Sequence, residues 1–252
     1  MKEIAIRYLF NSGFSIETES LFLVIDYEKG PLTLPRDKEI YFIVTHAHED
    51  HYNPDIFSLP HTESAKYILS DDVEAPAENG KVLQMSDSIE QTARRKIVFN
   101  RKRSLRVSPG QSGIFGSLSY HTFGSTDRGI SILLEICGLF FFHAGDLNAW
   151  KWPEFSLEEQ QKEVAMYKRV LQEVAAYPVD ISFCALDGRL GKNAFLGPEM
   201  QIDILSPQLF LPMHFRENTE ITRLFQKYKQ PNTSTVIQTI DAPGQRFLIR
   251  NE

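Results

Sequence analysis

The chain has 252 residues, 42% of them hydrophobic, with 33 acidic against 27 basic side chains and a formal net charge of −6. That length supports a sizeable core in one domain, residues 1–252, and the acidic balance removes any global electrostatic reason to expect nucleic-acid binding. No run approaches the roughly 18 apolar residues a membrane helix needs, and the N-terminus lacks a long apolar stretch, so a cytoplasmic protein is expected.

The opening residues read as three strands, 4–8, 14–18 and 21–26, with Gly13 as punctuation. The third is apolar throughout and ends in Asp26, either a strand-capping residue in a turn or an orienting partner for a ligand beyond it. After a proline-bearing loop, 30–35, comes Ile40-Tyr41-Phe42-Ile43-Val44-Thr45, β-branched and aromatic without a charge, which reads as a buried strand.

Where that strand ends, His46, His48, Asp50 and His51 follow, placing three of the chain's seven histidines within six positions. Neutral imidazole and carboxylate are the donors that zinc, manganese and iron select, and packing gives no reason to gather three histidines at a strand end. If the strand persists to the first of them, His46 and His48 point the same way by its period of two. The loop then lets Asp50 and His51 turn towards a second point. One cation does not easily take four donors packed this closely along a chain, whereas two adjacent cations do.

Asn53 and Pro54 have the chemistry of a helix start, N-cap followed by first-turn proline. His61 reads as a surface histidine. Short strands are expected at 67–70 and 81–85. Residues 94–106 then carry seven basic side chains in thirteen, Arg94, Arg95, Lys96, Arg101, Lys102, Arg103 and Arg106. They are either an anion-steering patch or a hairpin whose edge is guarded by charge. A strand over 114–122 contains His121. The polar loop 124–129 follows, with Ser125, Asp127 and Arg128 either reaching substrate or forming a plain hairpin turn.

A strand over 130–136 precedes Phe140-Phe141-Phe142-His143-Ala144-Gly145-Asp146, in which His143 reads as a structural or supporting residue. Ser156 and Glu159 form a capping box before a helix whose apolar stripe is Val164, Tyr167, Leu171 and Val174. Pro178 stops it, and the strand 179–186 ends in a loop bearing Asp187, Arg189 and Lys192, read as turn chemistry before substrate contacts. A helix over 198–205, a strand over 209–213 delivering His214, a helix near 220–228 and strands at 235–239 and 246–249 complete the chain. Cys137 and Cys184 sit in apolar runs and read as buried thiols, which suits a reducing compartment.

The His46-x-His48-x-Asp50-His51 segment resembles the signature of the metallo-β-lactamase superfamily, and His121, Asp146 and His214 follow in the order of that family's remaining ligands. Within it, the Pro-Met-His ending at His214 and the short spacing from His121 to Asp146 resemble the ascorbate-6-phosphate lactonase-like group. The resemblance implies an α/β fold, a four-layer αβ/βα sandwich. It also implies two divalent cations, zinc first, with manganese or iron as alternatives. His46, His48 and His121 would hold one, Asp50, His51 and His214 the other, and Asp146 would bridge them.

The resemblance implies that such a site belongs to a dinuclear hydrolase. Two cations roughly 3.5–4 Å apart share a hydroxide and lower the pKa of water to about 7. Asp50 or Asp146 would take up the proton after attack on a lactone, ester or related bond in a small substrate, anionic or neutral. A phosphodiesterase or nuclease, and a non-catalytic metal-binding protein, remain as alternatives, although no nucleic-acid or membrane partner is expected.

Overall fold

The structure, a computed structural model, describes residues 2–76 and 100–251. In the first half lie β1 (Lys2–Phe10), β2 (Gly13–Glu17), β3 (Leu21–Ile25), β4 (Glu39–Val44), β5 (Lys66–Ser70) and β6 (Ser104–Val107). Then come β7 (Ser112–Phe115), β8 (Leu118–Phe123), β9 (Ser131–Ile136), β10 (Leu139–His143) and the helix α1 (Leu157–Val174). The chain continues through β11 (Ile181–Ala185), α2 (Leu196–Leu205), β12 (Leu209–Met213), α3 (Glu220–Lys229), β13 (Val236–Ile237) and β14 (Arg246–Asn251). The strand expected at 81–85 and the basic residues Arg94, Arg95 and Lys96 lie outside the described residues.

The strands form two mixed sheets, ordered β14-β1-β2-β3-β4-β5-β6 and β13-β12-β11-β10-β9-β8-β7. In the first sheet β14, β1, β2 and β3 pair antiparallel and β3 to β6 pair parallel; in the second β7 to β10 pair antiparallel and β10 to β13 pair parallel. The α/β sandwich follows from how the strands bury their two faces. Leu21, Leu23, Ile25, Tyr41 and Ile43 share one core with Leu134, Phe141 and Phe183 of the opposite sheet. The alternate residues Phe22, Val24, Ile40, Phe42 and Val44 join a second core on the outer face. Being covered on both sides is why β3 and β4 read as unbroken apolar runs. Between the sheets, the rings of Phe14 and Phe183 lie 4.8 Å apart, a burial that stabilises by about 1.5–3 kcal/mol per ring.

The outer face of the second sheet is covered by helices. The Ser156 hydroxyl accepts from the Glu159 amide while the Glu159 carboxylate accepts from the Ser156 amide, the reciprocal cap expected for α1. Tyr167 then ties α1 to α2 by donating to the Gly197 carbonyl at 3.0 Å, and Phe225 of α3 packs on Phe210 of β12. The expected helix after Asn53 is a single 3-10 turn, Pro54–Phe57, capped by the Asn53 side chain. Ile56 and Phe57 cover the outer core of the first sheet.

Arg101–Arg103 forms another 3-10 turn, leading into β6 at the sheet's edge, with Arg101, Lys102 and Arg106 exposed. Charge there blunts an edge strand against pairing with other chains.

Candidate metal centre

Parallel pairing brings the chemistry to one end of the sandwich. Ile25 is in register with Ile43, so β3 and β4 finish side by side and release Asp26 and the 45–52 segment together. In the second sheet β10, β11 and β12 run parallel and release Asp146, Asp187 and His214 at the same edge. After His48 the backbone folds back, with the amides of His51 and Tyr52 both donating to the His48 carbonyl at 2.9 Å.

Two groups of donors result, His46, His48 and Asp146 in one, Asp50, His51 and His214 in the other. In the first, His46 Nε2 is 3.0 Å from His48 Nδ1 and 3.3 Å from Asp146 Oδ2. In the second, His214 Nε2 is 3.4 Å from Asp50 Oδ2. Asp146 faces both, because its Oδ1 is 2.9 Å from His51 Nε2 and 3.4 Å from His214 Nε2. Atoms held about 2.0–2.2 Å from one cation stand this far from each other.

His51 Nε2, His214 Nε2 and Asp146 Oδ1 are buried and, among the described residues, make no well-aligned hydrogen bond, their closest polar neighbours being one another. Each such atom costs about 1–3 kcal/mol if left unsatisfied, and a divalent cation at their meeting point satisfies all three. The donors therefore fit the metal that the motif implies.

The other ring nitrogens are tied down. His51 Nδ1 lies 2.8 Å from Asp26, His46 Nδ1 lies 3.1 Å from the Thr45 hydroxyl, and His214 Nδ1 lies 3.1 Å from Asp187. Asp187 is itself gripped by the guanidinium of Arg189. Asp26, at φ 47°, also accepts from the Thr45 amide and hydroxyl at 2.8 and 2.7 Å, so it orients the strand end and a ligand histidine together. His143 is wholly buried, with Nε2 donating to the Ser12 carbonyl and Nδ1 accepting from the Gly145 amide. Burial lowers its pKa, which keeps it neutral and fits a structural role.

Asn11 and Asp187 carry roles that the sequence hid inside turn chemistry. From the β1–β2 turn, Asn11 donates its amide to Asp50, accepts the His214 amide on its carbonyl and accepts the Arg216 amide on its side chain.

His121 does not join either group. It sits on β8 between Ser112 and Leu133, two residues short of the strand's end. Its neighbour Tyr120 enters the core, so by alternation His121 faces outward, where its ring packs tilted against that of Tyr177 at 4.5 Å. The expectation that His121 supplies the third donor beside His46 and His48 is therefore corrected by strand register. His61 accepts from Arg36, and it too belongs to neither group.

A cleft of about 370 Å³ opens over the centre, floored by His48, Asp50, Asp146 and His214. One wall is Trp150 and Trp152, stacked within 4° of parallel, with Arg189 over the Trp152 ring at 5.3 Å and Arg216 beside Asp50 at 3.5 Å. Facing them are Asp127 and Glu163, whose carboxyl is pushed up by burial and by the Asp127 charge against the pull of Lys162. The basic turn at 101–103 does not line this cleft.

Protonation of the metal-free centre sets how it loads. Burial lowers the pKa of His214, but contacts with Asp187 and Asp50 and the charge of Asp146 outweigh it and raise the group to about 9. His51 is likewise raised, by Asp146 and Asp26 against burial. At neutral pH a cation must therefore displace protons from both rings. Zinc titration in buffers of differing ionisation enthalpy should report release of about two protons per chain near pH 7, with affinity rising as pH increases towards 9. Release near zero at pH 7 would show that these rings are already neutral in the metal-free protein.

No protein-family model matches the sequence, and no curated protein matches it. Solved structures do. A metallo hydrolase from the hyperthermophilic archaeon Ignicoccus hospitalis, Igni18, superposes with a TM-score of 0.62 at 16% identity, covering 99% of this chain and all of that one. The metallo-β-lactamase fold protein YhfI of Bacillus subtilis gives 0.61 at 12% identity, covering 98% of this chain and 100% of its own. CmlA, a diiron β-hydroxylase from Streptomyces venezuelae, gives 0.60 at 11% identity over the whole of this chain, which spans 55% of that protein. At these identities the likeness is one of fold, and the fold is that of the metallo-β-lactamases. Among the described residues no helix is long and apolar enough to cross a membrane.

Proposed function

We propose that the chain is a dinuclear metal-dependent hydrolase acting on a small anionic lactone, ester or phosphodiester. The observation that carries the reading is the convergence of two groups of metal-type donors, with Asp146 facing both and with His51 Nε2, His214 Nε2 and Asp146 Oδ1 buried and making no well-aligned hydrogen bond among the described residues. Zinc is the expected metal, with manganese and iron as alternatives that the same donors accept. When bound, the cations supply Lewis acidity and a water whose pKa falls to about 7.

The chain's own residues do the rest. Asp26, Thr45 and Asp187 hold the ligand rings in one orientation, so no reorganisation is needed at the moment of reaction. Asp50, whose side chain is 27% exposed, faces the cleft and is placed to take a proton from the attacking water. Arg216 and Arg189 point charge into the cleft from one side and bind the substrate's carboxylate or phosphate. Trp150 and Trp152 exclude water and give a flat apolar surface for the remainder of the substrate. Both cysteines are free thiols, in keeping with a cytoplasmic location.

The test is elemental analysis of protein purified without chelator, beside a screen of carboxylated or phosphorylated lactones, esters and phosphodiesters. About two metal equivalents, and a hydrolysis that chelation abolishes and added zinc, manganese or iron restores, is the expected result. Failure to retain metal at micromolar zinc would overturn it, and metal retained without any hydrolysis would favour the binding-protein alternative.

A further inference from the structure

We propose that Asp127 is the donor that completes the group formed by His46, His48 and Asp146, giving the first cation two imidazoles and two carboxylates. The inference rests on the two-cation reading and changes its chemistry.

The vacancy left by His121 is one of register. Its backbone is paired on both sides, to Ser112 and to Leu133, and its ring faces Tyr177, so reaching the strand's end would require breaking the ladder. The residues beyond that end, 124–129, are the ones that overlie the metal segment. Their loop is fastened at three places, Gly124, Thr126 and Gly129, and braced within itself at Asp127. The Ser131 hydroxyl donates to the Gly124 carbonyl at 3.0 Å, and the Asp127 amide donates to the Ser125 hydroxyl at 3.1 Å. The Thr126 hydroxyl donates to the Asn148 carbonyl at 2.7 Å and accepts from the Asn148 amide at 2.9 Å. Gly129, at φ +65°, lies so close to the metal strand that a Cβ there would come within 2.0 Å of the Thr45 carbonyl and 2.6 Å of His46 Cβ. The loop is thus clamped to both chain segments that carry the first group's donors, 45–48 and 146–148.

Held there, Asp127 puts Oδ2 3.9 Å from His48 Nδ1, the same separation, within 0.1 Å, as that from His48 Nδ1 to Asp146 Oδ2 at 3.8 Å. As it stands it touches only the His48 side of the group and must turn inward to join His46 and Asp146; its carboxylate accepts no hydrogen bond among the described residues and its side chain is 43% exposed, which leaves it free to do so. The neighbouring hydroxyls are already used, Ser125 by the Asp127 amide and Thr126 by Asn148. A carboxylate in place of a third imidazole makes the donor set harder and adds negative charge. That shifts preference from zinc towards manganese or iron(II).

The experiment compares Asp127→Ala, Asp127→His and His121→Ala by metal stoichiometry, by zinc and manganese affinity and by the visible spectrum of the cobalt(II)-loaded protein. Asp127→Ala is expected to fall from two equivalents to one and to lose one set of cobalt bands. The equivalent it retains shows that it has folded. Asp127→His is expected to keep two equivalents but to raise the zinc-over-manganese affinity ratio by about tenfold, and His121→Ala to match the parent in every reading. Two equivalents and an unchanged spectrum in Asp127→Ala, or loss of one in His121→Ala, would overturn the assignment while leaving the two-cation reading intact. A parent protein that binds no metal would defeat that reading instead.

Discussion

Replacing Asp146 by alanine should strip both halves of the centre at once, taking bound metal from about two equivalents to near zero and lowering hydrolysis by about 10³-fold or more. No other ligand has this reach. Oδ2 of Asp146 stands 3.3 Å from His46 Nε2, and Oδ1 stands 2.9 and 3.4 Å from His51 Nε2 and His214 Nε2. Removing any one histidine leaves the opposite group whole, whereas removing Asp146 takes a donor from each. Its main chain is unaffected by the change, because the Asp146 carbonyl continues to accept from the Trp150 indole at 2.8 Å. A saturating cation stabilises the parent by about 4 kcal/mol at a thousand times its Kd, and that increment in Tm should vanish in the variant. Elemental analysis and thermal melts with and without zinc decide it. An alanine variant that still binds two equivalents would show that Asp146 is not shared.

Asp26→Ala should be the most destabilising change near the site, costing about 3–5 kcal/mol, and should weaken metal binding about 10–100-fold by freeing the His51 ring. The side chain is fully buried and accepts from the Thr45 amide, the Thr45 hydroxyl and His51. Asp26→Asn separates the contributions, since asparagine tolerates the positive φ of this position and keeps an acceptor for Thr45 while losing the charge that faces His51. Denaturant melts should place it between parent and alanine, with metal affinity reduced in both. Burial raises the Asp26 pKa, but His51, His143 and His46 together bring it below the ordinary carboxylate value. The stability this group contributes is therefore complete above about pH 4 and lost as pH falls through its folded-state pKa. If the alanine variant melts at the parent's denaturant midpoint, the buried network is not what holds β3 and β4 together at their ends.

Much of this was readable from the chain because it is encoded locally. The histidine cluster needs only six adjacent positions, the cap of α1 needs four, and unbroken apolar runs at 21–25 and 40–44 announce strands buried on both faces. Other features depend on pairing between distant segments. Whether His121 lies before or after its strand's end, and on which face, is set by its register with β7 and β9. Asp187 satisfies the turn at Arg189 by accepting its amide at 2.9 Å, which is all that local sequence reveals. Its second partner, His214, arrives from a different strand. Asn11 carries no local signal for the same reason, its partners Asp50, His214 and Arg216 all being distant in sequence, and the 3-10 turn after Pro54 has the start signals of a helix without the apolar period to extend it.

The donors are divided between two chain halves. His46, His48, Asp50 and His51 come from the first sheet, with Asp26 behind them, and Asp146 and His214 from the second, with Asp187 behind His214, so that neither sheet alone owns a full coordination sphere. In a small zinc-dependent module the ion nucleates the fold. Here a cation has no complete berth until β12 has docked and the Asn11 turn has met the His214 backbone. Loading therefore comes after folding, and occupancy reports on finished tertiary structure. A nascent chain with only its first half synthesised exposes His46 to His51 without Asp146 or His214. It would hold metal weakly and give it up readily.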